Sequence, residues 1–241
     1  MKPFGAMLVA LALSAGLAHA GEFGLGPGFT QADLDSITQA FGDAVNFPNL
    51  GGAAPGGVTG FQILGVAGGP EVDTSAHWWR YVPHANTVGG VLFGQRVIVR
   101  KGLPFNLDVG VQVGRVFGDQ FWGADVRWAF VEGGALSPAM ALRAAYSRAS
   151  SSLLDRLDVA EAQLVISKDF PVVSPYGAIG YRRVSGRANF GDPVPLGYSS
   201  TTSGVTATVG ARLGLLPFFH VVGEVRRATS TCVFVGVGVG Q

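Results

Sequence analysis

Asp73-Thr74-Ser75-Ala76-His77 places an acid, hydroxyls and an imidazole on one short stretch of chain. A nucleophilic hydrolase or acyltransferase combines those residue types. Proximity along one polar loop is met without any chemistry, so the expected reading is a solvated loop and not a catalytic centre. His77 and His84 have no cysteine and only scattered acids nearby, too little for a metal site, and no cofactor is expected. His77, Trp78, Trp79, Arg80 and Tyr81 together offer rings and a cation. They suit either contact with a small hydrophobic ligand or a place at a membrane surface. The glycines of Gly236-Val237-Gly238-Val239-Gly240 are followed by neither a helix nor a Lys-Ser/Thr pair, so they belong to a strand and not to a phosphate cradle. A net charge of +1 gives nucleic acid nothing to bind.

The remaining charges fall at regular places. Arg96, Arg100, Asp108, Asp125, Arg127, Arg143, Glu161, Arg212, Glu224 and Arg226 sit inside segments of two-residue alternation. Phe105, Leu107, Val109, Val111 and Val113 are apolar, while Asn106, Asp108, Gly110 and Gln112 between them are polar or small. Trp122 to Phe130 and Val205 to Leu215 repeat the pattern. A strand directs successive side chains to opposite faces, so each segment has one apolar and one polar wall. Ten such segments are centred near Phe61, Val97, Val109, Val126, Leu142, Leu164, Ile179, Val209, Val221 and Val235.

A soluble barrel would turn the apolar wall inward and crowd the other with charge. Only 14% of the residues are charged, against about 25% in typical soluble domains, and lysine occurs only at Lys2, Lys101 and Lys168. The apolar wall is therefore expected to face lipid. An open sheet in hydrocarbon would leave costly unpaired backbone groups, so the strands must close. The expected fold is an all-β, closed, antiparallel transmembrane barrel of about ten strands. Its mixed charges would neutralise one another across a narrow lumen, with Asp125 and Arg127 as one ion pair.

Membrane barrels alternate short and long links. Gly69 to Asn86 and Arg187 to Ser203 read as the longest links, both on one side; Lys101 to Pro104 and the Pro217 region read as tight turns on the other. Trp78, Trp79, Tyr81, Phe117, Phe121, Tyr146, Tyr176, Tyr181, Phe218 and Phe219 are expected to form interfacial girdles.

Residues 1–20 carry Lys2, an apolar run from Met7 to Leu13 and Ala18-His19-Ala20, the order of a secretory signal peptide. Residues 21–56 hold a short helix and a connector. Thr30 and Asp33 fit a capping box with the helix starting at Gln31. Leu34, Ile37, Ala40, Phe41, Ala44 and Val45 share its apolar face, with Asp35, Gln39 and Asp43 opposite. That acidic face does not suit an anionic membrane surface, so the helix is expected to plug or dock against the barrel's periplasmic end. Residues 57–241 would form the barrel. The single Cys232 rules out an intrachain disulfide and reads as a buried thiol.

Asn46-Phe47-Pro48-Asn49-Leu50, followed by Gly57-Val58-Thr59-Gly60-Phe61 after a helix and a Gly/Pro-rich connector, resembles a family of outer-membrane β-barrel proteins of Gram-negative bacteria. The resemblance implies a place in the cell outer membrane, with lipid as partner. A terminal aromatic common in such barrels is replaced here by Gln241. The expected protein is a monomer that is not an enzyme and that binds or passes a small or hydrophobic solute. A lipid-modifying envelope enzyme working through the first loop, and a structural or adhesive surface protein, are the alternatives.

Overall fold

The computed structural model describes residues 28–82, 87–116, 118–134, 136–151, 154–190, 196–216 and 218–240. Residues 1–20, expected to be a signal peptide, and His84, Phe117 and Gln241 lie outside them.

Helix α1 (Gln31–Val45) begins where the sequence places it: Thr30 and Asp33 exchange the two hydrogen bonds of a capping box. Then come β1 (Phe61–Pro70), a 3-10 turn (His77–Tyr81) and a short hairpin, β2 (Thr87–Val88) with β3 (Val91–Leu92). The chain continues through β4 (Gly94–Leu103), β5 (Leu107–Val116), β6 (Asp119–Val131), β7 (Ala139–Ala149) and β8 (Arg156–Ser167). It ends with β9 (Val173–Phe190), β10 (Leu196–Leu216), β11 (Phe219–Arg227) and β12 (Thr231–Gly240). Strands β4 to β12 pair in chain order, and β1 joins β4 to β12, giving one closed antiparallel barrel. All ten expected strand centres lie in it.

The side-chain period of two then fixes two walls. Val109, Val111, Val113, Val126, Val205 and Val209 are exposed on the outside, and Trp122, Trp128 and Tyr181 stand among them. Glu161, Arg143, Arg226 and Glu224 point inward and are buried.

One end of the barrel carries the link from β1 to β4, so we call it the loop end; the other carries the turns from β4 to β5 and from β10 to β11. The side assignment of the links agrees with the sequence reading, but residues 187–190 and 196–203 of the second long link are strand. β9 and β10 run on as a long hairpin, paired from Val173↔Leu213 to Phe190↔Leu196. Its Ser, Thr and Gly residues lack apolar alternation, which is why they read as loop. The girdles also differ. Phe121 and Tyr176 are buried within the barrel, and Trp78, Trp79 and Tyr81 sit over its loop end. Exposed Phe61, Phe105, Phe130, Phe170 and Phe218 instead ring the turn end.

Helix α1 and its connector lie inside the barrel. The helix contacts β1, β7, β8, β9 and β10 as well as the 3-10 turn, so wall surrounds it. Leu34, Ile37, Phe41, Ala44 and Val45 are buried with Val159, Val184 and Leu157 of the wall. A Cβ at Gly42 would stand 2.5 Å from a Val184 methyl, and only glycine lets the helix lie that close.

The hydrogen bonds place the start of the helix at the loop end. The first turn of α1 meets Ser199 and the loop-end His77. The chain then descends, reaches Ser167 at Ala53 and Asp108 at Gly56, and enters β1 at the turn end. The segment from Thr30 to Gly56 thus threads the whole lumen.

Candidate functional site

The connector Asn46 to Gly52 crosses the barrel's middle in an extended course. Extended backbone has no internal partners for its carbonyls. The wall supplies them: Arg96 donates to the carbonyls of Asn46 at 2.7 Å and Ala44 at 2.5 Å. Arg143 donates to those of Phe47 at 3.1 Å and Pro48 at 3.3 Å, and Arg100 to Pro48 at 3.3 Å. Arg127 donates to the Gly52 carbonyl and, at 2.6 Å, to Asn49 Oδ1. Arg226 reaches the carbonyl of Asp43 at 3.1 Å.

Carboxylates serve the opposite need. Glu224 accepts from the backbone amides of Asn49 at 3.2 Å and Leu50 at 2.7 Å, and from Tyr176 Oη at 2.9 Å. Leu50 holds a positive φ of 42°, a conformation that costs about 1–2 kcal/mol in a residue with a side chain. Its complete burial and the Glu224 bond keep it there. Glu161 accepts from Asn46 Nδ2 at 2.9 Å and Thr206 Oγ1 at 2.7 Å. Phe47 lies beneath Arg100 and Arg143, whose guanidinium carbons are 5.4 and 5.2 Å from its ring. A desolvated cation over an aromatic face is attracted by about 2 kcal/mol.

The expected lumen network is therefore corrected in its pairing. Asp125 binds Arg143 at 2.7 Å and Arg100 at 3.3 Å, and its hydrogen bonds do not include Arg127, which holds the connector instead. Residues two apart on a strand share a face, but longer arginines reach past their neighbour to the cross-strand and central partners. Arg212 stands apart near the turn end, 3.9 Å from Asp169. The charges do not simply cancel across an empty lumen; most of them grip a strand of chain within it.

Two members could not be read from alternation. Asp43, on the polar face of the helix, is fully buried and bonded to Arg182, with Ser230 Oγ at 2.7 Å. Arg182 sits in β9, where Gly177, Ala178 and Gly180 blur which face is inside. The Asn46-Phe47-Pro48-Asn49-Leu50 motif was visible as a motif but not as the piece the arginines hold.

Below the connector the lumen opens toward the turn end as a cavity of about 180 Å³, walled by Arg100, Arg127, Asp108, Gln62, Arg212 and the chain at Gly51-Gly52. Arg100 and Arg127 each have a buried Nε without a hydrogen-bond partner. Asp169 also lines it, so three guanidiniums and two carboxylates face the cavity.

At the loop end, the acid, hydroxyl and imidazole of the first loop do not form a relay. Asp73 accepts from Ser75 Oγ at 2.6 Å, whereas His77 Nδ1 lies 2.8 Å from Asp33 on the helix. Trp78 and Trp79 pack edge to face at 5.3 Å against the loop-end core, and Tyr81 meets Phe29 at 5.2 Å. Arg80 is exposed. The five residues taken as a ligand patch form a roof over the first turn of α1.

Burial of Asp33 opposes its ionisation, but hydrogen bonds with His77 and Thr30 outweigh it and hold its carboxyl below the usual value of 3.8. A depressed carboxyl contributes stability that is complete above its unfolded value and lost as pH falls through the folded one. Hydrogen-exchange protection of the first turn of α1 should therefore be constant from neutrality to about pH 4 and decline below it. Asp33→Asn should lower protection at neutral pH and remove that acid limb; a wild-type profile with no decline would refute the latch.

Residues 123–241 match a family described as "Family of unknown function (DUF6588)". No curated protein matches the chain. Among solved structures, the chain is similar to the N-terminal β-barrel domain of Pseudomonas aeruginosa OprF, at 9% identity and TM-score 0.37, over 76% of this chain and 98% of that one. It is also similar to Ail, the attachment invasion locus protein of Yersinia pestis. For Ail the identity is 12% and the TM-score 0.35, over 75% of this chain and 97% of that one. A second Ail structure, in complex with the heparin analogue sucrose octasulfate, matches at 13% identity and TM-score 0.34, over 75% and 97% of the two chains.

Proposed function

We propose that this protein is an exported, monomeric, non-enzymatic barrel of the outer membrane, in which residues 28–56 close the lumen and their movement admits a small solute. The observation that carries the reading is the inversion of walls: valines and tryptophans outside, and a guanidinium ring inside that binds the chain's own carbonyls. An apolar outer wall with aromatic rings near its ends is what lipid requires of a strand wall. The bonds that hold the connector are ones that water or a polar solute can replace. The lining of the turn-end cavity favours a polar, anionic solute over the hydrophobic one suggested by the aromatic loop. The separate pairing of Asp73 with Ser75 and of His77 with Asp33 supports a role without catalysis, and His77→Ala should leave any solute passage intact.

A covalent lock tests the reading. A Cβ at Gly52 would stand 3.0 Å from Ser167 Cβ, close to the 3.5–4.5 Å that a disulfide spans. In a Cys232→Ala background, Gly52→Cys with Ser167→Cys joins the connector to β8. Proteoliposomes should pass lactate-sized anions when the pair is reduced and stop passing them when it is oxidised. Equal flux in both states would overturn plug movement. The absence of flux in both states, and in the wild-type chain, would leave the structural or adhesive reading in its place.

A further inference from the structure

The outer wall near the loop end carries a cluster of cations that the lumen does not explain. Arg148 on β7, Arg156 on β8, and Arg183 and Arg187 on β9 all point outward. The ladders place them in adjoining rows: Arg156 is directly opposite Arg187, Arg148 opposite Asp158, and Arg183 opposite Ala160. Residues opposite one another in an antiparallel pair have Cα atoms about 4.5–5.5 Å apart. Like charges so placed repel. Asp158, the single carboxylate of the cluster, is shared by Arg148 and Arg156. Arg183 and Arg187 make no hydrogen bond or ion pair with any described residue.

The cluster has a definite height. Tyr146 lies two residues below Arg148 on the same face of β7, and Tyr181 two residues below Arg183 on β9. Tyr181 is exposed, and the wall beneath it carries Ile179, Val205 and Val209, exposed as well. Four guanidiniums against one carboxylate therefore sit immediately beyond the aromatic edge of the apolar band, at the level of lipid headgroups.

We infer that this patch of β7, β8 and β9 is a binding site for the phosphates of an anionic glycolipid in the outer leaflet of the membrane. Guanidinium groups bind phosphate through paired, charge-assisted N–H donors. A phosphate between Arg156 and Arg187 would remove their repulsion, with Arg183 facing a second one nearer the acyl chains. Val205, Ile179 and the tyrosines would lie along the chains themselves. The inference rests on the proposed orientation, with the loop end outward.

Full-length protein in neutral detergent is titrated with bisphosphorylated lipid A, with its dephosphorylated form and with inorganic phosphate. Two surface arginines near a membrane headgroup contribute about ten- to thirty-fold in affinity. Arg183→Gln with Arg187→Gln should weaken binding of the bisphosphorylated lipid by about that factor, while Arg183→Lys with Arg187→Lys retains part of it. Arg115→Gln with Arg227→Gln, elsewhere on the loop-end wall, should leave it unchanged. Equal binding of the dephosphorylated lipid, equally tight binding of inorganic phosphate, or equal losses in the two glutamine pairs would each overturn the site. Orientation is read separately: Ser75→Cys should react with a membrane-impermeant maleimide on intact cells, since the native Cys232 is buried. Failure of that labelling overturns the outward loop end, whatever the titration gives.

Discussion

Deleting residues 21–56 should convert a closed barrel into an anion-selective channel, with efflux of small anions from proteoliposomes rising about ten-fold or more above the intact chain. The sign follows from what remains. Arg96, Arg100, Arg127, Arg143, Arg182 and Arg226 line the emptied lumen against Asp108, Asp125, Glu161 and Glu224, because Asp43 departs with the helix. Six cations against four anions leave the passage positive, and a ring of arginines favours anions. The truncated barrel must first be shown folded by its altered gel migration before and after boiling. A synthetic peptide of residues 28–56, present while the truncated barrel refolds, should restore closure. A folded, truncated barrel that passes no solute would sink the plug.

The largest loss of stability is expected at Asp43. It lies at 0% exposure on the helix and binds Arg182, Ser230 Oγ and the Ser230 amide, with Arg226 at 3.9 Å. Asp43→Ala takes the carboxylate away from buried Arg182, and removal of one partner of a buried ion pair costs about 3–5 kcal/mol. The urea midpoint of barrel unfolding should fall accordingly. Asp43→Leu combined with Arg182→Met should recover much of the loss, since apolar replacement of a buried pair is often close to neutral. An unchanged midpoint in Asp43→Ala would mean that the helix is not held as described.

The barrel was legible because a wall with two unlike faces imposes alternation on each strand that forms it. Val109 to Val113, Trp122 to Phe130 and Val205 to Leu215 each record one wet and one apolar wall, and the cost of an open edge in hydrocarbon predicts closure. The helix start at Gln31 was equally legible, since Thr30 and Asp33 act on neighbouring backbone alone. What alternation cannot record is a partner from elsewhere in the chain. Inward-facing Arg96, Arg127 and Arg143 read as charges awaiting other charges; their acceptors include backbone carbonyls of the connector, which every sequence has everywhere. For the same reason Asp43 read only as part of a polar helix face, because its partner Arg182 lies 139 residues away in the chain. The long hairpin of β9 and β10 stayed hidden because Ser199 to Gly204 extends beyond the apolar band, where nothing selects a greasy face.

The threaded course of residues 30–56 also orders the protein's biogenesis. Neighbouring hairpins from β4 to β12 can zip locally, but the seam of β1 with β12, from Gln62↔Gly240 to Pro70↔Cys232, joins opposite ends of the chain. Once that seam is sealed, a helix attached at the turn end would have to travel the full bore to reach the loop end. Insertion of the helix must therefore precede sealing, and the arginine-bound connector becomes a mandrel around which the last strands wrap.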